Sequence, residues 1–281
     1  MTIVESDDTF SYEPFTQHAF YTTINQALVQ QALDQLASFP RQGALRVVDL
    51  ACGTGAITQL IVQELRQVDR QAQIIAVDQS RKALQRAAER LTDAPVAFLQ
   101  GDLTELDRLI EHADLVFFCN AIHLVAEKSQ LLRQIARLLS PGGVLACNTT
   151  FFEGAYVEGT ERCYRLSIRR ALEFLRREYP GVRPTRQEHA TAMQWLTRDD
   201  YQHLFEANGF PQLYCSLQQG DLSLQAWQDI GSYAGFIEGA LPGIPLPLGA
   251  LALRVAAERV FQEMELSAIP RNWLQIIAVA G

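Results

Sequence analysis

Residues 46 to 55 read Arg-Val-Val-Asp-Leu-Ala-Cys-Gly-Thr-Gly: a short apolar run and an acid, then a tight Gly-x-Gly turn. Val47 and Val48 suit a buried strand, and Ile57, Leu60, Ile61 and Leu65 start a helical pattern directly after the glycines. A strand, a glycine turn and a helix in that order are how an α/β sheet holds a nucleotide-like ligand. Glycine lets the backbone come close, and the first amide N–H groups of the helix point outward. A dinucleotide fingerprint also asks for a third glycine three residues after the second, where helix packs on strand. That position is Thr58, so the dinucleotide signature is incomplete.

The alternation continues for a hundred residues. Residues 74–78 (Ile-Ile-Ala-Val-Asp) form a second buried-strand pattern, and its closing acid stands 23 residues after Gly55. A carboxylate at that place can accept hydrogen bonds from both hydroxyls of a ribose. Ser80 is placed to cap a helix carrying Leu84, Ala87, Ala88 and Leu91. Residues 96–99 make a third strand closed by Gly101-Asp102, and 114–119 a fourth that runs into Asn120-Ala121-Ile122-His123. A helix over Leu131, Leu132, Ile135 and Leu138 is stopped by Ser140-Pro141-Gly142-Gly143, and 144–147 follow as a fifth strand. Strands and helices alternating through short links predict an α/β fold with a doubly wound parallel sheet.

Four motifs in this order resemble the class I S-adenosylmethionine-dependent methyltransferases, in particular those acting on small molecules: Val-Val-Asp-Leu-Ala-Cys-Gly-Thr-Gly, Ala-Val-Asp-Gln-Ser, Gln-Gly-Asp-Leu and Leu-Leu-Ser-Pro-Gly-Gly. The resemblance covers residues 44–150 well, and 195–218 and 271–281 more loosely. It implies a mostly parallel seven-stranded sheet whose last strand is antiparallel, helical cap insertions, and S-adenosylmethionine as cofactor. By that resemblance Asp49, Gly53 and Gly55 surround the methionine moiety, with Ala51 standing where the family often has glycine. Asp78 holds the ribose diol, with Gln79 beside it in the same motif. Asp102 faces the adenine amino group, Leu103 flanks the ring, and Asn120 lies next to the sulfonium. Each acid also has a plainer reading, as the cap of the next helix or a partner of turn amides. The segment Asn-Ala-Ile-His replaces the Asn-Pro-Pro-Tyr-like motif of enzymes that methylate exocyclic amino groups, which argues against nucleic-acid bases and glutamine as acceptors.

The chain divides into an N-terminal helical segment (1–43), the cofactor-binding core (44–150), a helical insertion (151–196), core continued (197–218), a second helical and Pro-rich insertion (219–270) and a last core strand (271–281). Phe10, Tyr12, Phe15, Phe20 and Tyr21 precede a helical pattern through Ile24, Leu28, Ala32 and Leu36. This segment either folds over the cofactor pocket, as in the resembling family, or covers the edge of the sheet. In the first insertion Tyr164, Ile168, Ala171, Leu172, Leu175 and Tyr179 share one helical face. The other side is basic, with eight arginines against three glutamates between 161 and 186. It reads as a solvated face, or as a site for an anionic substrate group, an acidic partner or a membrane surface. Thr197, with Asp200 three residues on, opens a core helix before a sixth strand at 212–217, and the seventh is expected at 273–279. Residues 241–249 hold three prolines, are expected to form no regular helix, and suit a substrate-pocket wall, a membrane contact, a dimer interface or a packed loop.

Methyl transfer from a sulfonium asks a protein mainly for alignment and exclusion of water. If the acceptor is a hydroxyl or a phenol-activated carbon, a base must take its proton. His123, four residues past the fourth strand, is the candidate, either as that base or as a substrate-positioning residue; His189 and His203 are weaker. No Gly-x-Ser-x-Gly elbow supports a hydrolase. The aromatics and the Pro-rich stretch suggest a small, largely apolar acceptor (a quinone or isoprenoid, a polyketide-like compound, or a carboxylate) methylated on oxygen or carbon. An NAD-dependent oxidoreductase and a non-catalytic partner protein that binds S-adenosylmethionine are the alternatives. The formal charge of −8 disfavours nonspecific nucleic-acid binding. Five cysteines without metal-ligand spacing, an acidic start and the lack of an 18-residue apolar run lead to the expectation of a metal-free cytoplasmic enzyme, monomeric or a homodimer.

Overall fold

The computed structural model describes residues 10–39, 43–185 and 195–281. Among these, seven strands make one sheet: β1 (Leu45–Leu50), β2 (Ala72–Asp78), β3 (Val96–Gln100), β4 (Ala113–Cys119), β5 (Leu139–Thr149), β6 (Gln212–Ser223) and β7 (Ala268–Val279), in the order β3-β2-β1-β4-β5-β7-β6. Strands β1 to β5 pair in parallel, and β7 runs antiparallel to β5. The central strands carry continuous apolar runs because the sheet is covered on both faces: Val47, Val48, Leu50, residues 115–118 and 144–147 are fully buried. Helices α3 (Ala56–Gln67), α4 (Arg81–Arg90) and α6 (Lys128–Leu138) supply the crossovers. The chain winds outward from β1 to β3, then returns to place β4 on the other side of β1. That reversal is the topological switch point, where open α/β sheets hold ligands just beyond the carboxyl ends of their strands.

The chain separates into two compact units, one of residues 22–153, 196–218 and 273–281, the other of 1–21, 154–195 and 219–272. In the larger unit, the helix α2 (Ala19–Ala37) buries Leu28, Val29, Ala32 and Leu36. Asn25 bonds Asn148 at the carboxyl end of β5, while a side chain at Gly142, near the other end of that strand, would strike Phe39. The helix therefore runs along a face of the sheet, from the carboxyl ends of its strands, rather than over an edge. The Ser140–Gly143 stretch, expected to stop the helix ahead of the fifth strand, lies within β5, with a register shift between Ala113 and Leu115 of β4. Four of the five cysteines are buried, and burial pushes the thiols of Cys52, Cys119 and Cys147 well up, so they act as small apolar residues.

The smaller unit is helical. Its core joins α7 (Glu161–Glu178), α10 (Ala234–Ala240) and α11 (Leu246–Glu263) through Ala171, Leu175, Ile237, Ala252 and Ala256, with α9 (Leu224–Gly231) alongside. Gly249 is required there, since any Cβ would run into Ile237. The expectation that 241–249 forms no regular helix is corrected in its second half. Pro245 caps α11 and Pro247 sits in its first turn, where a missing N–H removes no intrahelical bond. Leu241 and Ile244 are buried rather than bare to solvent. The basic face of α7 is partly neutralised: Arg169 and Arg170 pair with Glu173, Arg170 also with Glu263, and Arg177 with Glu178. Among the described residues no helix is long and apolar enough to cross a membrane.

Candidate active site

The carboxyl ends of β1 and β2 bring two acids and a glycine turn together in the larger unit. The backbone turns left-handed at Ala51, Gly53 and Gly55 (φ 54°, 54° and 81°) before α3 begins. Gly55 is forced by packing, because a Cβ there would lie 3.0 Å from Cβ of Ala87 on α4. Gly53 differs: a Cβ on it would meet nothing within 4 Å, so the turn borders open space. Ala51 adopts a conformation in which an L side chain costs about 1 kcal/mol more than glycine, which explains the glycine usual in the resembling family.

Asp49 lies at the floor of the turn, 1% exposed, and its Oδ2 accepts a 2.6 Å bond from the Thr58 hydroxyl. Burial drives its pKa from 3.8 up to about 7, opposed by the Thr58 bond and assisted by the charge of Asp78. Asp78 closes β2. Its Oδ2 accepts from the Gly53 N–H and its Oδ1 from the Ser80 N–H, both at 2.8 Å. Burial raises its pKa as well, against those amide bonds. Ser80 caps α4 by accepting from the Ala83 N–H, as its position in the sequence suggested. Gln79 is exposed, with its carbonyl accepting from the Gln100 side chain.

Asp102 is exposed and caps the single 3-10 turn Leu103–Glu105. Its Oδ1 accepts from the Thr104 N–H and hydroxyl, and these bonds pull its pKa down. Leu103, next to it, is half-buried. Asn120, just past β4, has left-handed backbone (φ 54°), and its N–H donates to the carbonyl and Oδ1 of Asn148. Its own Oδ1 accepts from Trp273 Nε1 at 3.2 Å, and its Nδ2 lies 3.4 Å from Oδ1 of Asn25, which also accepts from Asn148 Nδ2 at 2.8 Å. Indole nitrogen only donates, so the orientation of the Asn120 amide is set by this network. Nothing in the local sequence announces Asn25, Asn148 and Trp273, which meet from distant segments.

His123 sits on the 3-10 turn Ile122–Leu124, 5% exposed, stacked on Phe151 with ring centres 4.2 Å apart. Its Nδ1 is 3.3 Å from the Thr149 hydroxyl oxygen, which already accepts from the Phe151 N–H. The two groups are within hydrogen-bond reach, the donor being set by the histidine's tautomer. His203, on α8 (Arg198–Glu206), is exposed. His189 and Arg186 lie outside the described residues.

Known proteins match this arrangement. The family model described as "Methyltransferase domain" matches residues 42–209. A trans-aconitate 2-methyltransferase of Acidovorax ebreus is 32% identical over 128 residues, covering 46% of this chain and 47% of its own length. A malonyl-[acyl-carrier protein] O-methyltransferase of Priestia megaterium is 28% identical over 160 residues, 53% of this chain and 54% of its own. The chain thus spans about half the length of the curated relatives it matches. In solved structures the fold recurs in the CurJ carbon methyltransferase (TM-score 0.55, 16% identity, 96% of this chain and 57% of that one). It recurs also in the [4+2]-cyclase SpnF (0.54, 15%, 92% and 81%), so the fold by itself does not fix the chemistry. The motif-bearing turn, the seven-stranded sheet with β7 antiparallel and the match across 42–209 lead to one assignment: this chain belongs to the class I S-adenosylmethionine-dependent methyltransferase family.

Proposed function

We propose that the chain binds S-adenosylmethionine on the glycine turn between β1 and α3 and catalyses methylation of an oxygen on a small, largely apolar acceptor that carries a carboxylate. The observation that supports it most is the pairing of a buried acid, Asp49, with a half-buried one, Asp78, around a left-handed glycine turn with open space beside Gly53. A cationic nucleoside-bearing ligand fits such a site: glycine admits its backbone-hugging part and the carboxylates oppose its charge. Bound there, S-adenosylmethionine supplies a methyl carbon activated by a positive sulfur.

The protein's part follows from its own groups. A carboxylate offers about four lone-pair positions. Asp78 spends two on Gly53 and Ser80 and has the others for ribose hydroxyls. Asp49, Ala51, Gly53 and Gly55 line the methionine end. Asp102 keeps Oδ2 for an exocyclic amino group while Oδ1 serves Thr104, with Leu103 against the ring and Gln79 beside the ribose. Asn120, held by Trp273 and Asn25, acts as a rigid wall of the methyl-bearing end. His123, buried beside Thr149 and stacked on Phe151, is the residue placed to position the acceptor. A carboxylate acceptor oxygen needs no base. The relatives named for trans-aconitate and malonyl-[acyl-carrier protein] support the carboxylate of this acceptor rather than its apolar body.

The test is transfer of tritium from methyl-labelled S-adenosylmethionine to a panel of small carboxylic acids, phenols and quinols. Labelled carboxylic ester is the expected product. Transfer only to carbon or nitrogen acceptors contradicts the oxygen assignment.

A further inference from the structure

A closed set of side-chain amides fixes Asn120 within the larger unit. Its N–H donates to the Asn148 carbonyl at 3.1 Å and to Asn148 Oδ1 at 3.0 Å. Asn148 Nδ2 donates to Asn25 Oδ1 at 2.8 Å, and Asn120 Nδ2 donates to the same oxygen at 3.4 Å. Trp273 Nε1 closes the set by donating to Asn120 Oδ1 at 3.2 Å. Asn25, Asn148 and Trp273 are all 0% exposed.

One donor orients every member. An amide side chain flipped end for end keeps its shape and exchanges donor for acceptor, so shape alone does not fix it. The indole N–H only donates, which makes Asn120 present its oxygen to Trp273 and its nitrogen to Asn25. Asn25 must answer with oxygen and Asn148 with nitrogen, leaving Asn148 Oδ1 for the Asn120 N–H. The constraint thus returns to the residue where it began. Gln275, opposite Asn148 in the β5–β7 register, staples α2 beside Asn25: its Nε2 donates to the Ile24 carbonyl at 2.7 Å. Its Oε1 is buried with no hydrogen-bond partner among the described residues. The hold on α2 is therefore kept at a cost to stability that an apolar residue would avoid.

The residue held in this way is itself strained. Asn120 has left-handed backbone (φ 54°), a conformation disfavoured for residues with a Cβ and least so for asparagine and aspartate. It follows β4, in which Phe117 pairs with Asp49 of β1. The thiol of its neighbour Cys119, raised first by burial, is raised further by the charge of Asp49. Asn120 accordingly stands at the acid floor of the glycine turn.

We propose that Trp273 and Asn25 are positioning residues for methyl transfer, which act through Asn120 to favour the methyl-bearing cofactor relative to its demethylated product. This rests on the methyl-transfer reading above and extends it to the discrimination between the two forms of the cofactor. S-adenosylhomocysteine lacks the methyl group, so a wall held firmly against that group is felt by S-adenosylmethionine alone. Loosening the wall costs the methyl donor its contact and its alignment, and leaves the product unaffected.

The experiment is calorimetric titration of the full chain with S-adenosylmethionine and, separately, S-adenosylhomocysteine. Trp273→Phe removes the donor and keeps an aromatic ring, and Asn25→Ser withdraws the shared acceptor. Each should weaken binding of S-adenosylmethionine about tenfold relative to S-adenosylhomocysteine. Asn120→Gly, which keeps the left-handed backbone accessible, should give the same shift. Adding Trp273→Phe to it should leave the ratio within about twofold, because residues acting through one another are not additive. Equal losses for the two ligands, or an unchanged ratio, in a folded variant mean that the amide set serves the fold alone, and overturn the proposal. A second tenfold shift, about as large as the first, on adding Trp273→Phe to Asn120→Gly also overturns it, since Trp273 would then act by another route. If Trp273→Phe does not fold, the ratio in Asn25→Ser decides. A wild type that binds neither compound removes the methyl-transfer reading and this inference together; a wild type that binds both, with no shift of ratio in the variants, removes this inference alone.

Discussion

Thr58 donates its hydroxyl proton to Asp49 across 2.6 Å, and both side chains are buried. The position at which a dinucleotide site needs glycine thus carries the donor that steadies the acid beneath the turn. Thr58→Val keeps the shape and removes the donor, leaving a buried carboxylate short of a partner, at a cost of about 1–3 kcal/mol. The loss should be larger at pH 8, where Asp49 is ionised, than at pH 5. Urea unfolding at the two pH values checks this, and equal losses contradict it.

Asp49 makes stability fall as pH rises. Its pKa is 3.8 when unperturbed and about 7 in the folded chain, so between these values the folded state alone retains the proton. The contribution is greatest below pH 4, declines through the interval and levels off above pH 7. Asp49→Asn, which preserves an acceptor for Thr58, should flatten that decline and be more stable than the wild type at pH 8. Asp78 shifts in the same direction, so part of the slope remains. An unaltered slope in the variant removes Asp49 as its source.

Asp78→Ala should raise the dissociation constant for S-adenosylmethionine at least about 30-fold, corresponding to roughly 2 kcal/mol of lost hydrogen bonding. It gives up bonds to Gly53 and Ser80 as well, so its melting temperature should drop by a few degrees while the chain stays folded. Wild-type affinity in a folded variant sinks the ribose assignment.

His123→Gln separates positioning from base catalysis. With Nδ1 tied to Thr149 and the ring stacked on Phe151, the expected loss of kcat is less than about tenfold, and the pH profile should keep its shape. Loss of a general base would instead cost about 100- to 10,000-fold and erase an inflection near pH 6.5. Steady-state rates from pH 5 to 9 decide between them.

The sheet was legible because its signals are local. Buried parallel strands read as unbroken apolar runs, and Ser80 and Thr197 announce their helices through bonds three residues away. The same locality put Asp49, Gly53, Gly55 and Asp78 forward as candidates. The Asn25–Asn148–Asn120–Trp273 network was invisible, since four segments contribute one residue each and none carries a periodic pattern. Pro247 misled in another way: proline breaks a helix interior, but here it stands in the first turn of α11.

The most direct measurement is calorimetric titration of the chain with S-adenosylmethionine, S-adenosylhomocysteine and NADH in matched samples. Saturable binding of the first two, with no heat from NADH, is the predicted result. Binding of NADH without response to either sulfur compound contradicts the account, because the turn beside Asp49 and Asp78 would then serve a dinucleotide despite Thr58.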